Sequence, residues 1–202
     1  GRTGSGKTSL IKVIIGLLTP ETGSIMISGS DVRQYARADL FRKVGTVFQE
    51  SWLFSGTIRD NVAMGQDDCS EQNIVDCLRA AGANFIGEGT SADLDFLIQD
   101  QGSNLSGGQR QSIMMARALA FNPDIFLFDE PTSAMDGLTE SEVIASLSSN
   151  LGNKTLLVVT HKMPVVAMCD RVLVMDNGKL VGDGTKDAYF ELLQKQLQQK
   201  AK

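Results

Sequence analysis

Three clusters of residues in this 202-residue chain have the composition of chemistry rather than of packing. The first, Gly1-Arg2-Thr3-Gly4-Ser5-Gly6-Lys7-Thr8, satisfies the phosphate-loop pattern G-x-x-x-x-G-K-[ST] at every required position. Its glycines let backbone N–H groups turn inward around a β-phosphate, Lys7 reaches the β/γ oxygens, and the Thr8 hydroxyl can ligate Mg2+. The second is Asp129-Glu130, two adjacent carboxylates that close the apolar run Ile125-Phe126-Leu127-Phe128. Sheets of α/β proteins bind ligands at the carboxyl ends of their strands. Phosphoryl transfer to water has a use for both acids: Asp129 to hold Mg2+ through its water shell, Glu130 to orient and deprotonate the water. The third is Leu105-Ser106-Gly107-Gly108-Gln109, directly ahead of a helical stretch from Gln109 to Ala120. Adjacent glycines let the backbone come close to a bulky anion, Ser106 adds a hydroxyl, and a helix N-terminus carries unpaired N–H groups and partial positive charge.

Three single residues join these clusters. His161, the one histidine, follows an apolar run, Leu156 to Thr160. A lone histidine there is more often structural, yet its strand-end position parallels that of Glu130 and would let it contact a γ-phosphate. Gln49 closes the run from Val44 to Phe48, where an amide can bind Mg2+ or water, or simply end a strand in solvent. Asp136 follows Pro131-Thr132-Ser133-Ala134-Met135 and is equally readable as a turn residue capping the next helix.

The elements that must position these groups follow from pattern. An apolar helical stretch (Leu10, Ile11, Ile14, Ile15, Leu18) succeeds the phosphate loop, with Pro20 expected to end it. Ser24 to Ser28 and Lys43 to Gln49 read as strands. From Trp52 to about Ala120 the pattern is mainly helical, including Glu71 to Ala81. Asp124 to Asp129 and Lys154 to Thr160 are short apolar runs of the kind buried on both faces of a sheet. Thr139 to Leu151 is helical, Arg171 to Gly184 is a hairpin turned at Asn177-Gly178, and Asp187 to Lys200 is a polar helix. Buried strands alternating with helices make an α/β fold with a largely parallel sheet.

Composition narrows the function classes. Hydrophobic residues are 42% and charged ones 21%, as in a globular domain, and the formal charge of −5 without a basic run argues against a general nucleic-acid surface. Cys69, Cys77 and Cys169 are scattered and odd in number, so neither a disulfide framework nor a metal site is expected. No apolar stretch approaches a bilayer span. The chain opens inside a motif without an initiator Met, which suggests a fragment.

Taken in order, GRTGSGKT, Gln49, LSGGQ, IFLFDE, SAMD and His161 resemble the nucleotide-binding domain of ATP-binding cassette (ABC) ATPases, over essentially the whole chain. The resemblance implies a P-loop NTPase with a RecA-like, mainly parallel sheet core (residues 1–52 and 120–202) and an inserted α-helical subdomain (residues 53–119). It implies ATP and Mg2+ as ligands, with Walker A at Gly1 to Thr8, Q-loop Gln49, signature Leu105 to Gln109, Walker B ending at Asp129 and catalytic Glu130. Ser133 to Asp136 becomes the D-loop and His161 the switch histidine; Thr8, Gln49 and Asp129 become the metal ligands. Family members pair head to tail and sandwich ATP between one Walker A and the partner's signature, with Asp136 of the D-loop beside it. The implied partners are a second nucleotide-binding domain and the transmembrane domain of an exporter, at the cytoplasmic face of a bacterial inner membrane.

The stretch from Gln49 to Asn61 looks like the exporter branch, where Trp52 and Phe54 either line the groove for the transporter's coupling helix or pack within the domain. Lys154 to Asp187 is similar to bacterial type I secretion ATPases. Two departures stand out. Gln99-Asp100-Gln101-Gly102 replaces the Gly-Glu-Arg-Gly common in exporters, losing its cation, and the strands that carry the adenine-stacking aromatic are absent. A soluble ABC protein of the translation-factor type and a non-hydrolysing regulator are the competing readings. The exporter-like stretch weighs against the first, and the presence of Glu130 and His161 against the second.

Overall fold

The computed structural model describes residues 4–49, 52–66, 68–86 and 90–200. The chain divides into two compact units, one formed by residues 1–19 with 159–202 and the other by residues 20–158.

In the larger unit a short antiparallel pair, β1 (Met26–Ile27) and β2 (Ser30–Asp31), leads into helix α2 (Arg37–Lys43). The Tyr35 hydroxyl donates to the Ile27 carbonyl at 2.8 Å and ties this corner down. Strand β3 (Val44–Val47) then pairs in parallel with β6 (Ile125–Asp129), Val44 opposite Ile125 and Val47 opposite Phe128. Strand β7 (Thr155–Val159) completes the order β3-β6-β7. The central strand is apolar at every position before its terminal acid because both its faces are covered. Phe126 and Phe128 are fully buried, each contributing roughly 1.5–3 kcal/mol relative to exposure.

Between β3 and β6 lie β4 (Gly56–Thr57), α3 (Ile58–Ala63), α4 (Glu71–Ala80), α5 (Ser91–Leu94), β5 (Leu97–Ile98) and α6 (Gly107–Ala120). The mainly helical reading of this stretch holds, with one addition: β4 and β5 form a two-residue antiparallel pair. Helix α6 is the hub, packing on α3, α4 and β3, and its residues from Gln111 to Ala116 are all buried. Its approach to β3 is close at Gly45, where a Cβ would stand 2.8 Å from Pro123 Cγ and 2.9 Å from the Ala118 carbonyl oxygen. Helix α7 (Gly137–Asn150) follows β6 and packs on α4.

The smaller unit contains α1 (Lys7–Ile14), α8 (Met163–Ala167), a hairpin of β8 (Arg171–Asp176) and β9 (Lys179–Thr185), and α9 (Lys186–Lys200) packed on that hairpin. The hairpin turn is Asn177-Gly178, both with positive φ (46° and 74°), the backbone a two-residue turn of the hairpin hand requires.

Two expectations change. Helix α1 stops at Ile14, well before Pro20, because Gly16 adopts φ 70° and directs its N–H to the Val13 carbonyl. A left-handed glycine just past the last helical turn is a common terminator. Leu17 and Leu18 lie beyond it and are exposed. The apolar run of β7 predicts a buried strand, yet Thr155 is exposed and its other residues are only half-buried. It ends the sheet order, with β6 its one neighbour among the described residues.

Replacing Gly45 by Ala is expected to destabilise the chain by about 1–3 kcal/mol, since the methyl group meets a proline ring and a helix carbonyl that cannot turn aside. A lowered thermal midpoint checks this; an unchanged one would show that α6 and β3 have slack between them.

Candidate functional site

In the smaller unit, Gly4 turns the chain with φ 80° and buried Ser5 leads into Gly6 at φ 92°, the residue that starts α1. A Cβ on Gly6 would lie 3.6 Å from both Gly178 Cα and Met175 Cε, so the positive φ rather than crowding demands glycine here. Lys7 Nζ donates to Ser5 Oγ at 2.9 Å, and the Gly178 N–H donates to the Ser5 carbonyl at 3.2 Å, bracing the loop against the hairpin turn. Among the described residues no side chain caps α1, whereas α3, α6 and α7 are capped by Thr57, Ser106 and Asp136. Helices α2 and α8 likewise have no side-chain cap, so it is the glycine loop with positive φ at Gly4 and Gly6 that sets the start of α1 apart and gives it the form that suits a phosphate. Gly1, Arg2 and Thr3 lie outside the described residues. His161 sits in an exposed bend two residues past β7.

In the larger unit, Asp129 is the last residue of β6 and is 2% exposed. Glu130 follows with φ 51°. A left-handed non-glycine residue costs on the order of 1–3 kcal/mol and persists only where its surroundings over-determine it. Those surroundings are specific. The Glu130 carbonyl accepts from Gln111 Nε2 at 2.9 Å and from the Ser133 N–H at 3.2 Å. Gln111 Nε2 also donates to Ser133 Oγ at 3.0 Å, and its Oε1 accepts from the Ala134 N–H at 2.9 Å. Farther along the loop, buried Thr132 donates to Glu140 at 2.5 Å. Asp136 Oδ1 accepts from the N–H groups of Leu138 and Thr139, and its Oδ2 from the Thr139 hydroxyl. The Thr139 bonds to this carboxylate, backbone first, hold it below the usual carboxylate range. Of the two readings of Asp136, helix capping is thus directly visible. Gln49 lies exposed two residues past β3.

The Leu105–Gln109 cluster takes a form that its glycines alone did not indicate. Ser106 Oγ accepts from the Gln109 N–H at 3.2 Å while Gln109 Oε1 accepts from the Ser106 N–H at 2.8 Å, a reciprocal capping box. The pattern Ser-x-x-Gln was present in the sequence and would have announced it. Neither glycine has positive φ; both are needed for closeness. A Cβ on Gly107 would be 3.2 Å from Ala134 Cβ, and one on Gly108 would be 3.0 Å from the Ala134 carbonyl oxygen. The start of α6 therefore rests on the loop that follows Glu130 in the same chain. Ahead of it, Arg110 lies across Gly102, where a Cβ would meet its Cδ at 2.8 Å, and donates to the carbonyls of Gly102 (3.2 Å) and Leu105 (2.6 Å).

Arg117, which belongs to no sequence motif, organises the region behind Gln49. Its Nε donates to the Asn61 carbonyl at 2.7 Å, Nη2 to Asn61 Oδ1 at 2.8 Å and Nη1 to the Trp52 carbonyl at 3.2 Å, with the guanidinium 5.1 Å from the Phe54 ring centroid. Burial lowers its pKa to about 10. Buried Asn61 in turn bonds the Phe54 backbone on both sides, accepting from its N–H at 2.8 Å and donating to its carbonyl at 2.9 Å. Backbone polar groups near Trp52 and Phe54 are thus satisfied from within, while both rings remain exposed at 59% and 49%. No sequence period flags Arg117, because its partners lie 56 and 65 residues away.

A parallel α/β sheet with acids at a strand end, and a glycine loop opening a helix, define a P-loop nucleoside triphosphatase fold. Residues 1–133 match the family model described as ABC transporter, and the chain belongs to that family. It is 40% identical over 190 residues to an uncharacterized ABC transporter ATP-binding protein of Mycobacterium tuberculosis (strain ATCC 25618 / H37Rv), covering 93% of this chain and 32% of that protein. Against the alpha-hemolysin translocation ATP-binding protein of Escherichia coli O157:H7 it is 38% identical over 185 residues, 92% of this chain and 26% of the relative. Among solved structures, a bacterial Atm1-family ABC exporter with ATP bound superposes with a TM-score of 0.88 at 31% identity, over 95% of this chain and 34% of that one. The chain thus spans about a third or less of the length of these relatives. Membership of the family implies nucleotide binding.

Arg117→Lys removes the planar fork that reaches Asn61 and Trp52 together. The variant is expected to lose about 1–3 kcal/mol and to loosen the segment around Trp52, the single tryptophan. Lower steady-state anisotropy of its fluorescence would register this, and unchanged anisotropy would assign that order to other contacts.

Proposed function

We propose that this chain is the ATP-binding and ATP-hydrolysing cassette of an ABC exporter, turning over at a head-to-tail interface with a second cassette. The observation that carries the catalytic part is Glu130, held in a strained backbone conformation beside buried Asp129 at the end of β6. Strain of this kind is retained where a side chain must be aimed. Glu130 takes the proton of the attacking water, His161 and Gln49 contact the γ-phosphate and the water, and Lys7 with the N–H groups from Gly1 to Thr8 binds the β- and γ-phosphates. The Thr8 hydroxyl, Gln49 amide and Asp129 carboxylate are hard oxygen donors of the kind Mg2+ takes, and the ion, when bound, supplies neutralisation of phosphate charge. Leu105 to Gln109, with Asp136, faces the nucleotide of the second cassette.

The division into a core of residues 1–52 and 120–202 and a helical subdomain of residues 53–119 belongs to the same proposal. No helix among the described residues is long and apolar enough to cross a membrane. The exporter relatives support a transmembrane domain as partner, and the exposed rings of Trp52 and Phe54 are the surface offered to it. The same relatives support a position at the cytoplasmic face of a bacterial inner membrane. Relatives named for alpha-hemolysin translocation (38% identical), lipid A-core flipping (35%) and glucan export (38%) match to similar extents. These names favour export over a translation factor, and their variety argues that cargo is selected outside the cassette. The α-hemolysin relative supports the protein-secretion reading.

In the full-length protein, Glu130→Gln is expected to lower turnover by about 100-fold or more, the lower bound of general-base catalysis, while ATP binding persists and the nucleotide-closed dimer accumulates. Unchanged turnover would remove Glu130 from the mechanism. Ser106→Arg is expected to abolish hydrolysis with monomeric ATP binding intact, and loss of monomer binding would instead place the signature at its own chain's nucleotide.

A further inference from the structure

We propose that Gln111 is a positioning residue, through which the signature helix sets the backbone of Glu130 and links the partner's nucleotide to this chain's own hydrolytic centre. The proposal rests on the reading of Glu130 as the base and of Ser106 to Gln109 as the contact to a second cassette.

Gln111 is 7% exposed and its amide is used on both sides. Both donor contacts and the acceptor contact go to one short loop: the Glu130 carbonyl, Ser133 Oγ and the Ala134 N–H. A buried amide is costly to leave unsatisfied, and an apolar side chain of the same shape would pack the site with less risk. The amide therefore specifies geometry. What it specifies is the left-handed turn at Glu130, which needs outside support to persist. The loop alone provides the Ser133 N–H; Gln111 adds the bond that comes from α6.

The same helix offers no slack. Gly108 is close enough to Ala134 that even a methyl group would press on its carbonyl at 3.0 Å, and Gly107 approaches Ala134 Cβ at 3.2 Å. Ser106 and Gln109, locked by their capping box, stand less than two turns from Gln111 on one rigid α-helix. A displacement of this helix end by a nucleotide in the second cassette must be transmitted to the Glu130 carbonyl and the loop to Ala134. Close-packed contacts pass on small shifts rather than absorb them, and a misplacement of about 1 Å at a reacting group is enough to cost on the order of 100-fold in rate. Gln111 thus makes competence of one site depend on occupancy of the other, and by linkage the dependence runs both ways for binding.

The test uses the full-length protein and three variants. Gln111→Met keeps the volume and removes all three bonds; Gln111→Glu keeps the acceptor for the Ala134 N–H, loses both donors, and serves if the Met variant does not fold. Glu130→Gln is the control. Wild-type hydrolysis should show a Hill coefficient for ATP above unity. Both Gln111 variants should lower kcat about tenfold or more, leave half-saturating ATP within about twofold, and bring the Hill coefficient to unity. A wild-type coefficient of unity, an unchanged kcat in folded Gln111→Met, or an unchanged coefficient in it would overturn the inference. If Glu130→Gln is inactive and Gln111→Met is not impaired, only this inference fails; if Glu130→Gln turns over normally, the reading beneath it fails.

Discussion

The close approach of the first turns of α6 to the loop from Glu130 to Ala134 is the constraint on which the geometry at the end of β6 depends. It sets residue type at four positions at once. Gly107 and Gly108 must lack side chains, Gln111 must carry an amide, and Ala134 must be small enough to lie beneath them. Helix α6 is equally confined from behind, where Gly45 admits the Ala118 carbonyl and Pro123 against β3. Clamped between the sheet and the loop, this helix has little freedom to move without moving what it touches.

Arg117 extends the same helix in the opposite sense. Its guanidinium gathers the carbonyls of Trp52 and Asn61 and faces Phe54, so the segment beyond Gln49 is organised from α6 as well. A half-buried cation with part of its water shell removed needs protein acceptors, and here backbone carbonyls and Asn61 Oδ1 supply them. The elements that position the strained acid and the half-exposed aromatic pair therefore share one support. In the smaller unit the glycine loop ahead of α1 has its own brace, the Gly178 N–H on the Ser5 carbonyl.

Much of this was legible in the sequence. The apolar run from Ile125 to Phe128 has no polar interruption, and a strand covered on both faces follows from that alone. Asn177-Gly178 specified its hairpin because few other dipeptides accept two positive φ values. Where the structure departs from the local pattern, one rule meets a competing one. The apolar period after Thr8 ran on to Leu18, but the left-handed turn at Gly16 ended the helix sooner. Strand β7 has the apolar residues of a buried strand, yet its place at the end of the sheet leaves it half-exposed.

The residue string by itself determined the family, the glycine-rich pattern ahead of α1 and the acids at the end of β6, because these depend on residue type and short spacing, which a chain displays whether folded or not. Only the tertiary structure decided why the glycines of the signature are glycines, that Glu130 is strained, and that Gln111, Arg110 and Arg117 have structural work to do. Apart from Arg110, whose partners Gly102 and Leu105 lie 8 and 5 residues away, those facts depend on approach distances between segments 19 to 65 residues apart. Such distances are set when the helix closes on the loop and the sheet, and no local pattern encodes them.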